Sequence, residues 1–181
     1  MIVRMLFATG SEEVEALAVV DLIRRAGVEC RMVSTEDTET ITGSHGITIV
    51  MDEKLSEIPD DADMVILPGG IPGVPNLIAN QKVKELVQKQ NAAGKYVAAI
   101  CAAPTALGAF GLLKEKKATC YPGMEGQLNC KETVYDSVVT DGNIITSRGL
   151  GTAIPFGLKL VEILTDREMA DKLAERIVYT R

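Results

Sequence analysis

Apolar residues fall along this chain in short continuous runs separated by helix-period segments. Ile2–Ala8 is the first run, a strand candidate, and Thr9-Gly10-Ser11 turns the chain. Val14, Leu17, Ala18 and Leu22 then recur at helical spacing up to Ala26, and Gly27 ends that helix. Val28–Ser34 reads as a second strand. Strand, helix and strand in this order predict a parallel pair joined by a right-handed crossover.

Thr40–Val50 holds two β-branched runs about Gly43-Ser44-His45-Gly46, the pattern of a hairpin. Asp63–Leu67 is a buried strand stopped by Pro68-Gly69-Gly70. Val83–Asn91 has helical spacing and closes at Gly94. Tyr96–Ile100 is wholly apolar, as a central parallel strand is. Ala102–Leu113 reads as helix, Ala118–Gln127 as irregular, and Thr133–Val139 and Ile144–Thr146 as later strands. Helices over Gly151–Leu164 and Arg167–Tyr179 finish the chain. Strands alternating with helices predict an α/β fold, a doubly wound sandwich with a mostly parallel central sheet and helices on both faces. No repeat or linker divides residues 1–181, so one domain is expected.

Composition narrows the function classes. With 46% hydrophobic and 24% charged residues, the chain has the balance of a soluble globular protein. Net charge is −6 and no basic cluster stands out, which argues against a nucleic-acid surface. No apolar run reaches the roughly 18 residues of a membrane span. The opening segment carries one internal Arg and leads straight into Glu12, Glu13 and Glu15, unlike a secretory leader. A cytoplasmic protein is expected.

Four cysteines (Cys30, Cys101, Cys120, Cys130) and one histidine (His45) carry the remaining chemistry. No C-x-x-C spacing occurs, so neither a structural metal site nor a cofactor is expected. In an open parallel sheet, ligands bind beyond the carboxyl ends of the strands. Cys101 stands at such an end, in Ala99-Ile100-Cys101-Ala102-Ala103-Pro104. A strand-to-helix elbow there is sharp and strained, and the following helix N-terminus favours thiolate. The plain alternative is a buried, inert cysteine. Pro68-Gly69-Gly70 brings bare backbone to the neighbouring strand end; the N–H groups of Gly70 and Ala102 are candidate oxyanion donors. Glu15, one turn into the first helix, is compatible with a thiolate if it stays protonated and donates to sulfur, which makes it a ready acid/base. Glu12 and Glu13 read as solvated acids of the helix N-terminus. His45 reads as an exposed turn residue, away from the Cys101 strand in sequence, Cys30 as core, and Cys120 and Cys130 as flanks of the irregular segment that are open to a pocket role.

Five stretches in this order resemble one family. They are Gly10-Ser11-Glu12-Glu13-Val14-Glu15, Arg24-Arg25-Ala26-Gly27, Leu67-Pro68-Gly69-Gly70, Ala98–Thr105 and Thr146-Ser147-Arg148-Gly149. The chain resembles the ThiJ/PfpI superfamily over nearly its whole length, and within it the DJ-one-like branch of the Parkinsonism-associated deglycase and its bacterial relatives. The resemblance implies a flavodoxin-like sandwich and a homodimer. It maps the reactive cysteine to Cys101, its partner to Glu15, and the oxyanion-side backbone to Gly69, Gly70 and Ala102. The implied activity is glutathione-independent glyoxalase or deglycase chemistry on small aldehydes such as methylglyoxal, or on glycated adducts. The alternative is oxidative-stress sensing or redox-regulated chaperoning through Cys101.

The chain departs from the pattern at three places. Tyr121 stands near where several relatives have a histidine, which leaves Cys101 in a Cys–Glu centre rather than a Cys–His dyad. His45 replaces a frequent Arg in the hairpin, and Leu150 replaces a common Pro. Tyr121, His45 and Arg25 are further candidates for the pocket, supplied by this chain or across a dimer. Ala102, in place of a histidine, sets the chain apart from the protease-like branch. The lack of any histidine after residue 45 sets it apart from glutamine amidotransferases of similar fold.

Overall fold

The computed structural model describes residues 1–180. In chain order the elements are β1 (Ile2–Phe7), α1 (Glu13–Arg25), β2 (Glu29–Ser34), β3 (Thr40–Thr42), β4 (Thr48–Val50), β5 (Glu53–Lys54), β6 (Met64–Leu67), α2 (Gly73–Ala79), α3 (Gln81–Ala92), β7 (Tyr96–Ile100) and α4 (Pro104–Ala109). They continue with β8 (Lys117–Ala118), β9 (Glu132–Thr133), β10 (Val138–Asp141), β11 (Ile144–Ser147), α5 (Ala153–Leu164) and α6 (Arg167–Arg176).

The main sheet runs β10-β11-β7-β6-β1-β2-β5. Every pairing in it is parallel except β10 with β11. Side chains alternate between two cores because a strand has period two. Val3, Met5, Phe7, Met64, Ile66, Ala98 and Ile100 pack with α1, α5 and α6 on one face. Leu6, Ala8, Val65, Leu67, Val97 and Ala99 pack with α2, α3 and α4 on the other. Burial on both faces explains why these strands read as continuous apolar runs. This is the flavodoxin-like α/β sandwich expected from the resemblance.

The boundaries differ where local chemistry competes with the apolar pattern. α2 follows the Gly-Gly turn and begins on Gly73 with Pro75 in its first turn, so no helical run announces it. α4 stops at Ala109 instead of Leu113, because the chain turns at Gly111, which has φ of 81°. The segment after α4 is tied by a short parallel pair, Lys117 with Glu132 and Ala118 with Thr133. α6 ends at Arg176 rather than Tyr179. α3 starts two residues early because the Asn80 side chain accepts from Lys82 and Val83 N–H at its N-terminus.

Candidate active site

Four adjacent strands of the sheet deliver the site from their carboxyl ends. β7 ends in Cys101, whose φ is 65°. That left-handed conformation is rare for a residue with a side chain and holds only where its surroundings over-determine it. Here Cys101 N–H donates to Ser147 O (3.0 Å), and Cys101 O accepts from Tyr121 N–H (2.8 Å). The elbow is thus clamped between β11 and the loop that carries Tyr121.

β6 ends in Pro68-Gly69-Gly70. A Cβ on Gly69 would lie 2.4 Å from Glu15 Oε2 and 2.6 Å from Cys101 Cβ. Only glycine lets the two functional side chains meet there. Gly70 has φ of 97° and abuts the Glu12 backbone. Its N–H and that of Ala102 both donate to the Cys101 sulfur.

Glu15 comes from α1, behind β1, and is 1% exposed. Its Oε2 accepts from Gly69 N–H (3.2 Å), and it also meets Leu150 N–H and the Cys101 thiol. Burial pushes the Glu15 carboxyl up to about 7; the thiol and amide donors pull the other way, and the nearby Glu12 adds to the rise. Burial likewise pushes the Cys101 thiol up to about 12, with the charge of Glu15 next and the two backbone amides opposing. The helix N-terminus alone therefore does not make Cys101 a thiolate: burial outweighs the amides, and an ionised Glu15 adds the like-charge repulsion that its position implies. The two groups interact, so their protons come off in steps that belong to the pair.

Glu12 and Glu13 are not solvated acids. Glu12 is 8% exposed and caps α1 through its Oε2, which accepts from Glu15 N–H at 2.6 Å. Glu13 is 1% exposed and accepts from His45 N–H (2.8 Å) and Ile47 N–H (3.3 Å). These bonds dock the β3–β4 hairpin on α1 of the same chain. They also bring His45, distant from Cys101 in sequence, to line the cysteine pocket of its own chain.

The pocket holds about 370 Å³ and is lined by Glu12, Ser44, His45, Gly70, Ile71, Cys101, Ala102, Tyr121 and Met124. Of the sequence candidates, Cys101, Glu15, Gly69, Gly70, Ala102, Tyr121 and His45 come together here. Arg25 does not. It pairs with Asp21 at the far end of α1 (2.5 Å) and borders a depression that contains neither cysteine nor histidine. Cys30 is buried in the core. Cys120 is buried in the second core and Cys130 packs against it; neither lines the pocket. Sequence reasoning missed the hairpin anchor on Glu13 and the Leu150 N–H. The first gave no signal because nothing in a Glu-Glu pair tells a docking carboxylate from a solvated one. The second was visible only as a proline position without its proline.

Among the described residues, one group has the makeup of a metal site: Glu12, Glu13 and His45, with ligand atoms within 4.8 Å of one another. Glu13 already spends its oxygens on the hairpin. No helix of the described residues is long and apolar enough to cross a membrane.

Comparison with known proteins agrees with this geometry. The profile of the DJ-1/PfpI family matches residues 1–163. The chain is 41% identical over 174 residues to Protein DJ-1 homolog B of Arabidopsis thaliana, covering 94% of this chain and 40% of that protein; it thus spans less than half the length of this plant relative. It is 34% identical over 174 residues to the glutathione-independent glyoxalase DJR-1.2 of Caenorhabditis elegans, covering 94% of this chain and 92% of the relative. The structure of oxidized Toxoplasma gondii DJ-1 superposes with a TM-score of 0.95 at 35% identity over 99% of both chains.

Proposed function

Since the chain belongs to the DJ-1/PfpI family, we propose that it is a cysteine-dependent enzyme acting on small reactive carbonyls without glutathione. The observation that carries this reading is the Cys101–Glu15 pair, hydrogen-bonded in a buried site with two N–H donors on the sulfur. The glyoxalase relative from Caenorhabditis elegans makes the same substrate class the natural one to test.

In this reading Glu15 starts with a proton; as the Cys101 thiolate adds to the aldehyde of methylglyoxal, that proton passes to the new oxygen, giving a hemithioacetal and leaving Glu15 ionised. The Gly70 and Ala102 amides steady the oxygen that becomes negative. Glu15 takes the hydrogen from the former aldehyde carbon and returns it to the neighbouring carbon. Water then splits the resulting thioester into lactate and free thiol. Glycated adducts of proteins or nucleotides are a second substrate group for the same steps. A single domain over 1–181, a homodimer, a cytoplasmic setting and the absence of a cofactor belong to this proposal.

The test is lactate formation from methylglyoxal in glutathione-free buffer. The parent forms it, and Cys101→Ser and Glu15→Gln lose at least about 100-fold. Equal rates in all three rule the mechanism out.

The buried Glu15 carboxyl also favours a second reading. A protonated carboxyl beside the sulfur is placed to donate to a sulfinate, which suits Cys101 to peroxide sensing. Mild peroxide followed by mass spectrometry tests it. Oxidation confined to other cysteines, or absent at low dose, eliminates this role.

A further inference from the structure

The chemistry above leaves His45 idle, although it is the one histidine of the chain and lines the same pocket as Cys101. Its ring is held from one side. Nδ1 lies 3.2 Å from Glu13 Oε2, 3.0 Å from Ser44 Oγ and 3.7 Å from Glu12 Oε1. Burial would raise the Glu13 carboxyl, but backbone N–H donors and the His45 ring hold it below its ordinary range. It is therefore an ionised acceptor, and an ionised carboxylate only accepts. The proton of a neutral ring then belongs on Nδ1, and Nε2 is the bare nitrogen left for the pocket. A base oriented by a buried carboxylate is the arrangement that proton-transfer sites use. The imidazole is 71% exposed, so it reaches both substrate and water.

We propose that His45 is a second catalytic residue of this site, an imidazole oriented by Glu13 that relays the oxygen-borne proton of the hemithioacetal. The inference rests on the carbonyl reading. Rearrangement of the hemithioacetal to the thioester moves two protons. The carbon-borne one passes from the first carbon to the second through Glu15. At the same time the hydroxyl of the first carbon gives up its proton, and the carbonyl oxygen of the second takes one. Nε2, bare at the start, takes the proton of the first carbon's hydroxyl and passes it to the oxygen of the second carbon, so the ring ends as it began, and nothing is oxidised or reduced overall. The Gly70 and Ala102 amides donate hydrogen bonds but transfer no proton. Glu12 and Glu13, at the start of α1, approach the ring, and Cys101 and Tyr121 line the same pocket. Of the last two, Tyr121 is the rival relay.

The experiment compares the parent with His45→Ala, Tyr121→Phe and Cys101→Ser. Lactate formation that needs Cys101 establishes the carbonyl reading. Against that background His45→Ala is expected to lose about 100-fold in kcat with little change in KM, to keep the parental Tm, and to regain turnover with added imidazole. Tyr121→Phe removes only the rival hydroxyl and loses less than His45→Ala. A His45→Ala variant within threefold of the parent, or a loss confined to Tyr121→Phe, overturns the role of His45 while leaving the carbonyl reading intact. If the parent makes no lactate, the carbonyl reading fails, and nitrogen NMR of the lone histidine still decides the geometry. Nδ1 carrying the proton, with an Nε2 resonance that shifts when iodoacetamide caps Cys101, supports the assignment. The opposite tautomer, or an Nε2 signal indifferent to capping, overturns it.

Discussion

Glu15 and Cys101 meet across the missing side chain of Gly69: a Cβ there would stand 2.4 Å from Glu15 Oε2 and 3.1 Å from Cys101 Sγ. Gly69→Ala is therefore expected to force one partner aside. Overpacking of this kind costs about 1–3 kcal/mol. Urea unfolding should register that loss, and the variant should be nearly inactive in the lactate assay. Parental stability and turnover together would show that the gap has slack the distances do not indicate.

Glu15→Gln separates reactivity from catalysis. Burial is the first cause of the raised Cys101 thiol, and the Glu15 charge is the next. Removing that charge lowers the thiol while burial keeps part of the rise. Iodoacetamide should then label Cys101 faster at pH 8 than in the parent, even as turnover of carbonyl substrates falls at least about 100-fold. Slower labelling would mean that the carboxyl activates the sulfur instead of restraining it.

The same carboxyl should leave a mark on stability. Glu15 rises from 4.5 to about 7 on folding, so between those values the folded state holds a proton that the unfolded chain has lost. Stability from this group is present below pH 4.5 and falls as pH rises to 7. The full span corresponds to about 3 kcal/mol at most. Denaturation of the parent and Glu15→Gln should agree near pH 4 and diverge by pH 8, with the Gln variant the more stable. Parallel curves across that range would contradict a raised carboxyl.

Glu13→Ala is expected to release the hairpin. The buried carboxylate accepts from the His45 and Ile47 amides and meets the His45 ring. Losing such an acceptor costs about 1–3 kcal/mol. Amide hydrogen exchange should accelerate at His45 and Ile47, while the β6 and β7 amides stay protected. Unchanged exchange in the hairpin would place its anchor elsewhere.

The order of strands, the crossover and the elbow at Cys101 were legible because they follow from continuous apolar runs and from a cysteine set between strand and helix. Gly69 and Gly70 were legible as a pair, but not the reason for them, since the contact with Glu15 joins residues 54 positions apart. Glu13 was misread for a related reason. A carboxylate beside a helix start is ordinarily solvated, and only the returning hairpin buries it. The like-charge part of the Cys101 shift was legible, but not the burial that leads it, because that depends on how much water the folded site excludes. α2 was missed because glycine and proline weaken any helical signal.

Cys101, Gly69, Glu15 and the Leu150 amide hang from β7, β6, β1 and β11, which sit side by side in the interior of the sheet, while β5 and β10 form its edges. Interior strands open only when the domain opens, whereas edges fray at little cost. The chemistry is thereby insulated from local breathing. Iodoacetamide labelling of Cys101 per folded molecule should stay constant up to the global transition under heat or denaturant.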